Sequence, residues 1–152
     1  MKNKRFSNFL SVIMFSMFIF VSSHTYASNE TDFNVRVIHA SSGSEYIDPK
    51  LKDITSELKS VFKYTSYKLL DSDQLSIGFN QSKTTVLPGD RVLEIKPVNM
   101  SNDRIKLNLK IRKSGKEIFN TVVQLKNNNS ITLGGPEYKG GYLLFNIFGS
   151  NR

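Results

Sequence analysis

Arg104, Lys106, Lys110 and Arg112 occupy even positions of a segment whose odd positions, Ile105, Leu107, Leu109 and Ile111, are all apolar. A period of two marks a strand with one face in a core and the other in water. Side chains two apart on a strand stand about 6.6–7 Å from each other, so these cations form a row. Lys113 and Lys116, in the adjoining turn Lys113-Ser114-Gly115-Lys116, extend it. Such a row suits the repeated phosphates or carboxylates of an anionic polymer, or lipid headgroups. The competing assignment is a solvated outer face, or a sheet edge on which lysines discourage pairing with another sheet.

Other chemistries are harder to assemble. Beyond residue 27 there is one histidine, His39, at the end of a strand-like segment, and no Gly-x-Ser-x-Gly elbow accompanies it. A lone histidine in that position is expected to be a hydrogen-bonded structural residue. Asp71 and Asp73 flank Ser72 at a spacing that can touch calcium, but the rest of a calcium-loop pattern is missing, so local turn hydrogen bonding is expected. Gly134, Gly135, Gly140 and Gly141 do not open a helix and lack the Gly-Lys-Ser/Thr ending of a phosphate loop. The chain has no cysteine, which removes disulfides, thiol nucleophiles, thiolate metal sites and a lipoprotein anchor. Acidic pairs for glycoside cleavage exist among 13 carboxylates, yet none has aromatic neighbours in a groove-like pattern, and tryptophan is absent. No metal and no cofactor is expected. An enzyme is not expected either; the remaining catalytic alternative is a carboxylate-based hydrolase.

The elements that must position these groups follow from periodicity. Phe33 to Ala40 alternates as a first strand with Phe33, Val35 and Val37 on one face. Asp48 is a fitting N-cap and Pro49 a fitting first helical residue. Leu51, Ile54, Leu58, Val61 and Phe62 then recur at helical spacing, opposite Lys50, Lys52, Asp53, Glu57 and Lys59. A helix of about 14 residues, ending near Phe62 or Lys63, is predicted. Strands are predicted at 64–70, 75–79, 84–87, 91–98, 104–112, 118–125, 130–133 and 142–148. Turns are placed at 71–73, 80–82, 88–90, 113–116 and 127–129, and a glycine-bracketed loop at 134–141. The last strand is apolar on both faces, which requires a central position or cover by the helix. The fold class is mainly β with one helix (α+β). It is an antiparallel β-sandwich or partly open barrel of about eight short strands, with one N-terminal amphipathic helix packed on the sheet.

The first 27 residues have the layout of a secretory signal peptide. Lys2, Lys4 and Arg5 precede the apolar run Phe9–Val21, and Thr25-Tyr26-Ala27 supplies the cleavage site. The rival reading is an uncleaved membrane anchor, but as a helix that run spans about 20 Å, short of the ~30 Å hydrocarbon core. The chain therefore divides into a cleaved leader at 1–27 and a single β-rich domain at 28–152, with no transmembrane segment after cleavage. Cleavage removes three of the 21 basic residues and none of the 13 acidic ones, which leaves a net charge of +5. The expected location is periplasmic or extracellular. The expected role is a non-catalytic binding or accessory subunit of an envelope component, with another envelope protein or complex as partner. The alternative is a binder of anionic glycans or lipid headgroups through the basic strand face. Nucleic acid is not expected at that location.

Overall fold

The structure is a computed structural model and describes residues 30–151; the leader expected at 1–27 lies outside them. The described chain is mostly β with a single α-helix. Its elements run β1 (Glu30–Ser41), β2 (Tyr46–Ile47), a 3-10 turn (Pro49–Leu51), α1 (Thr55–Val61), β3 (Ser66–Gly78), β4 (Lys83–Leu87), β5 (Arg91–Ser101), β6 (Arg104–Lys113), β7 (Lys116–Lys126), β8 (Asn129–Tyr138) and β9 (Gly141–Asn151). They form two sheets, one in the order β2-β3-β1-β9-β8 and one in the order β4-β5-β6-β7. Every pairing is antiparallel except the two-residue parallel contact of β2 with β3. No helix among the described residues is long and apolar enough to cross a membrane.

The inner faces of the two sheets share one core. Phe33, Val35 and Val37 of β1, with Leu143, Phe145 and Ile147 of β9, meet Leu93 and Ile95 of β5 and all four odd residues Ile105–Ile111 of β6. The strict alternation in β6 is thus a faithful reading of its two environments. β9 lies between β1 and β8, and Leu144 on its other face belongs to a second cluster under the helical segment. This explains why β9 is apolar on both sides.

Three expectations need correction. The predicted 14-residue helix is a 3-10 turn followed by a seven-residue α-helix. Asp48 does cap the start, its Oδ1 accepting from Lys50 N–H at 3.0 Å. The chain then turns at Lys52 to Ile54, and the Asp53 carboxylate is held by Arg36 of β1 at 2.8 and 2.9 Å. Ile54, at φ −115° and ψ 3°, leaves the helical conformation there, and no side chain caps the helix that follows. The buried stripe survives the break: Leu51, Ile54 and Leu58 pack with Ile38, Ala40, Tyr67 and Leu144. Val61, expected in the stripe, is 61% exposed. So short a helix is marginal by itself and is held by packing. Tyr67, wholly buried, puts its hydroxyl within hydrogen-bond distance of the Leu58 carbonyl (3.0 Å) and the Phe62 carbonyl, serving acceptors at the helix end.

Second, Asp71-Ser72-Asp73 is not a turn. β3 continues through it, pairing Asp71, Ser72 and Asp73 with Val37, Arg36 and Val35, and absorbs the misfit as a register shift beside Leu70. Third, the loop expected at 134–141 is mostly strand. β8 runs to Tyr138, with its irregularity between Gly134 and Glu137. Gly135 is needed there because a Cβ would sit 2.9 Å from the Leu143 carbonyl and overlap the Phe145 ring.

Candidate functional site

Arg104 and Lys106 are exposed, Lys110 and Arg112 half-buried, while the odd residues between them are buried. All four cations therefore stand on the outer face of the four-stranded sheet. Because β6 lies between β5 and β7, it is not an edge, and edge protection is not the reason for its lysines. Lys113 and Lys116 are exposed and paired opposite each other at the Ser114-Gly115 hairpin.

Register decides what stands beside each cation. On β5, Glu94 lies opposite Lys110, and on β7 Glu117 lies opposite Arg112. The Arg112 guanidinium reaches Glu94 Oε2 at 2.6 Å, and Lys110 Nζ lies 4.0 Å from Glu117 Oε2. This end of the row is internally compensated. At the other end Arg104 faces Lys126 of β7 and Ser101 of β5, and Lys106 faces Gln124 and Asn99. Among the described residues no ion pair involves Arg104, Lys106 or Lys126. A shallow pocket of about 410 Å³ lies here, lined by Asn99, Ser101, Asn102, Arg104, Lys106 and Gln124. Its chemistry is two cations among hydroxyl and amide groups, the donor set that receives an oxyanion. The pattern of β6 reveals Arg104 and Lys106 but not Asn99, Ser101, Gln124 or Lys126. A local signal for part of this was present. Asn102 and Asp103, both at positive φ (51° and 59°), form the two-residue turn that sets the β5–β6 register.

The other residues singled out by sequence have structural partners. His39 Nε2 donates to the Tyr138 carbonyl at 3.0 Å, and the two rings meet edge to face at 5.7 Å. Asp71 accepts from Ser72 N–H at 2.8 Å, and Asp73 accepts from the Thr85 hydroxyl of β4. No group of three or more histidines or carboxylates among the described residues is arranged to hold a metal ion.

The outer face of the five-stranded sheet carries a polar network that no single segment announces. Arg36 donates through Nε (3.1 Å) and a terminal nitrogen (2.8 Å) to Asn146 Oδ1, and Asn146 Nδ2 donates to Thr132 Oγ1 at 2.9 Å. The hydrogen bonds from Arg36, with its charge, hold the Asp53 carboxyl below the usual carboxylate range. Beyond this network, away from the helix, lies a pocket of about 460 Å³ lined by Asp32, Phe33, Asn34, Gln74, Leu75, Ser76 and Phe148. A third depression, of about 510 Å³, lies at the β8–β9 turn around Glu137, Tyr138 and Tyr142. Tyr142 donates to Glu137 there at 3.0 Å, which pushes its phenol pKa up. None of these three pockets is lined by two carboxylates. No family model matches the chain, and neither a curated protein nor a solved structure does.

Proposed function

We propose that this is a non-catalytic binding domain, exported to the periplasm or the cell exterior, that serves as a binding or accessory subunit of an envelope component. Architecturally we read the two sheets as a β-sandwich and the helical segment as a lid on one outer face. The observation that carries the functional reading is the placement of the polar groups. They stand on two outer sheet faces, held by strand register, where they meet a partner without rearrangement. The leader pattern supports the location. Cross-linking the tagged protein in intact envelopes, followed by identification of what it captures, tests this; one discrete partner is expected. Recovery of the protein only as an uncross-linked monomer would reject it.

A second reading, an anionic-polymer or lipid-headgroup binder, is favoured by one specific feature. Arg104 and Lys126 stand directly opposite each other beside the pocket at Lys106. Like charges so placed repel, and a bound phosphate or carboxylate removes the repulsion. Binding to vesicles containing anionic lipid, and to an acidic polysaccharide, should fall steeply with salt, because exposed charges are screened within ~8 Å at physiological ionic strength. Arg104→Glu with Lys106→Glu should abolish it, while Lys110→Glu with Arg112→Glu should weaken it far less. Equal effects of the two pairs would overturn the assignment to this end of the row.

A further inference from the structure

We infer that the free edge of β7 is a two-fold interface, at which a second copy of this chain adds its own β7 and joins two four-stranded sheets into one continuous sheet. The described sheets end in β2, β8, β4 and β7. β2 is two residues long and β4 five. β8 contains Gly134, Gly135 and Pro136 and breaks register there, which spoils it as a pairing template. β7 differs from all three. It runs for 11 residues without glycine or proline, and from Ile118 to Leu125 it carries no charge. Beyond its ladder with β6, no backbone hydrogen bond among the described residues involves it. Such an edge is a template for another strand.

The faces and the ends of β7 fix the register. A two-fold axis normal to the sheet reverses strand direction and keeps outer side chains outward, so it passes through one residue of β7. The register shift beside Arg112 leaves Ile118 as the extra residue, and regular pairing starts from it. An axis through Thr121 sets Lys116 against Lys126 at both ends, a repulsive pair. An axis through Asn120 leaves only 118–122 to pair before the bulge. An axis through Val122 uses all of 118–126. Val122, 54% exposed, then meets its own copy, and Asn120 meets Gln124, amide against amide. On the inner face Phe119 meets Leu125 and Thr121 meets Val123. This extends the apolar layer past Phe119 and Val123, which a single chain leaves half-buried.

Charge identifies the occupant as a second copy. Glu117 and Lys126 flank the paired stretch, opposite in sign and at opposite ends. Glu117 is turned to the outer face, its carboxylate 3.3 Å from Asn120 Nδ2 and 4.0 Å from Lys110 Nζ. Antiparallel pairing of β7 with itself brings Glu117 of each copy beside Lys126 of the other. Within one chain Lys126 stands opposite Arg104, and no ion pair among the described residues involves it. The second copy's carboxylate relieves that repulsion at both ends of the interface. A uniformly acidic or basic peptide would be attracted at one end and repelled at the other. Because the pairing is isologous, it closes as a dimer and leaves no β7 edge for further growth.

The test is sedimentation equilibrium of the purified full chain over a concentration series, together with disulfide cross-linking. The chain has no cysteine, so an introduced one reports alone. A reversible dimer of micromolar affinity is expected for an interface of one strand pair. Val122→Cys should give a covalent dimer on addition of a mild oxidant. Directly opposed residues of antiparallel strands have Cα atoms about 4.5–5.5 Å apart, within disulfide range. Val86→Cys on β4, at a residue 74% exposed, should not cross-link. Glu117→Lys and Lys126→Glu should each weaken the dimer about tenfold, since two contacts change in each. The double swap should restore it, and Lys106→Glu should leave it unchanged. If Glu117→Lys does not fold, Lys126→Glu and the cysteine variants still decide. The inference is overturned by a monomer at every concentration up to millimolar, or by equal cross-linking of the two cysteine variants. It is also overturned by a dimer that neither charge reversal weakens, or by a folded double swap that pairs no better than the single ones.

Discussion

The outer face of the four-stranded sheet and the outer face of the five-stranded sheet both carry polar side chains, but only one of them is covered by a second core. On the four-stranded sheet the side chains form a charge ladder in water, in which Glu94 and Glu117 compensate one end of the β6 row and the Arg104 end is left positive. On the five-stranded sheet a roof, Leu51, Ile54 and Leu58 of the 49–62 segment, packs over Ile38, Ala40, Tyr67 and Leu144 and makes a second core there. Its polar groups, Arg36, Asp53, Asn146 and Thr132, are linked through the margin of that roof. Polar side chains on a sheet face are therefore free to serve a ligand only where nothing packs over them.

The sharpest break of this contrast is Leu58→Ala. Leu58 is fully buried on the sheet-facing side of the roof, and its truncation should cost about 2–5 kcal/mol in denaturant unfolding. Val122→Ala, 54% exposed on the outer face of β7, should stay within about 0.5 kcal/mol. Comparable losses at the two sites would erase the distinction. Asn146→Leu comes next. It removes the acceptor of Arg36 Nε and the donor to Thr132 Oγ1 at a buried position, leaving Arg36 only its pair with Asp53, and should cost about 1–3 kcal/mol. Replacing Asn120 on β7, whose amide meets only Glu117, should show no comparable loss.

A pH experiment sharpens the same point with a smaller effect. Burial pushes the Tyr67 hydroxyl above the ordinary tyrosine range, opposed in part by its hydrogen bond with the Tyr64 backbone. The unfolded chain therefore releases this proton first. Stability from Tyr67 is complete below the ordinary tyrosine pKa and is lost as pH rises above it. Tyr67→Phe should flatten the alkaline slope of the unfolding midpoint; an unchanged slope would mean the hydroxyl is not shielded. The smallest expected effect is Arg112→Ala. Its pair with Glu94 is partly exposed, and its removal should change stability by about 1 kcal/mol or less. A larger loss would show that the outer face of the four-stranded sheet also holds the fold.

Period-two alternation was enough to read β6, because each of its residues has one neighbour environment per face and the hydrophobic effect sorts them. The same rule failed at Asp71-Ser72-Asp73. Polar residues at a strand position look like a turn when the partner strand is unknown, and here β1 supplies that partner. Gly134-Gly135 misled in the same way, since the need for glycine at Gly135 came from Leu143 and Phe145 on the adjoining strand. The helical segment was recognisable from its apolar stripe and from Asp48, which caps its 3-10 turn, but the stripe does not show that the chain leaves the helical path at Ile54.

Local order in the chain sufficed for the β-rich class, the cysteine-free core, the helical stripe and the direction in which the β6 cations point, because each rests on short-range periodicity or composition. Which cations are neutralised, and which amides stand beside Phe148, depended on strand register between segments as far apart as Asn34 and Phe148. Hydrogen-bonded pairing creates those neighbours, and the covalent order of residues does not contain them.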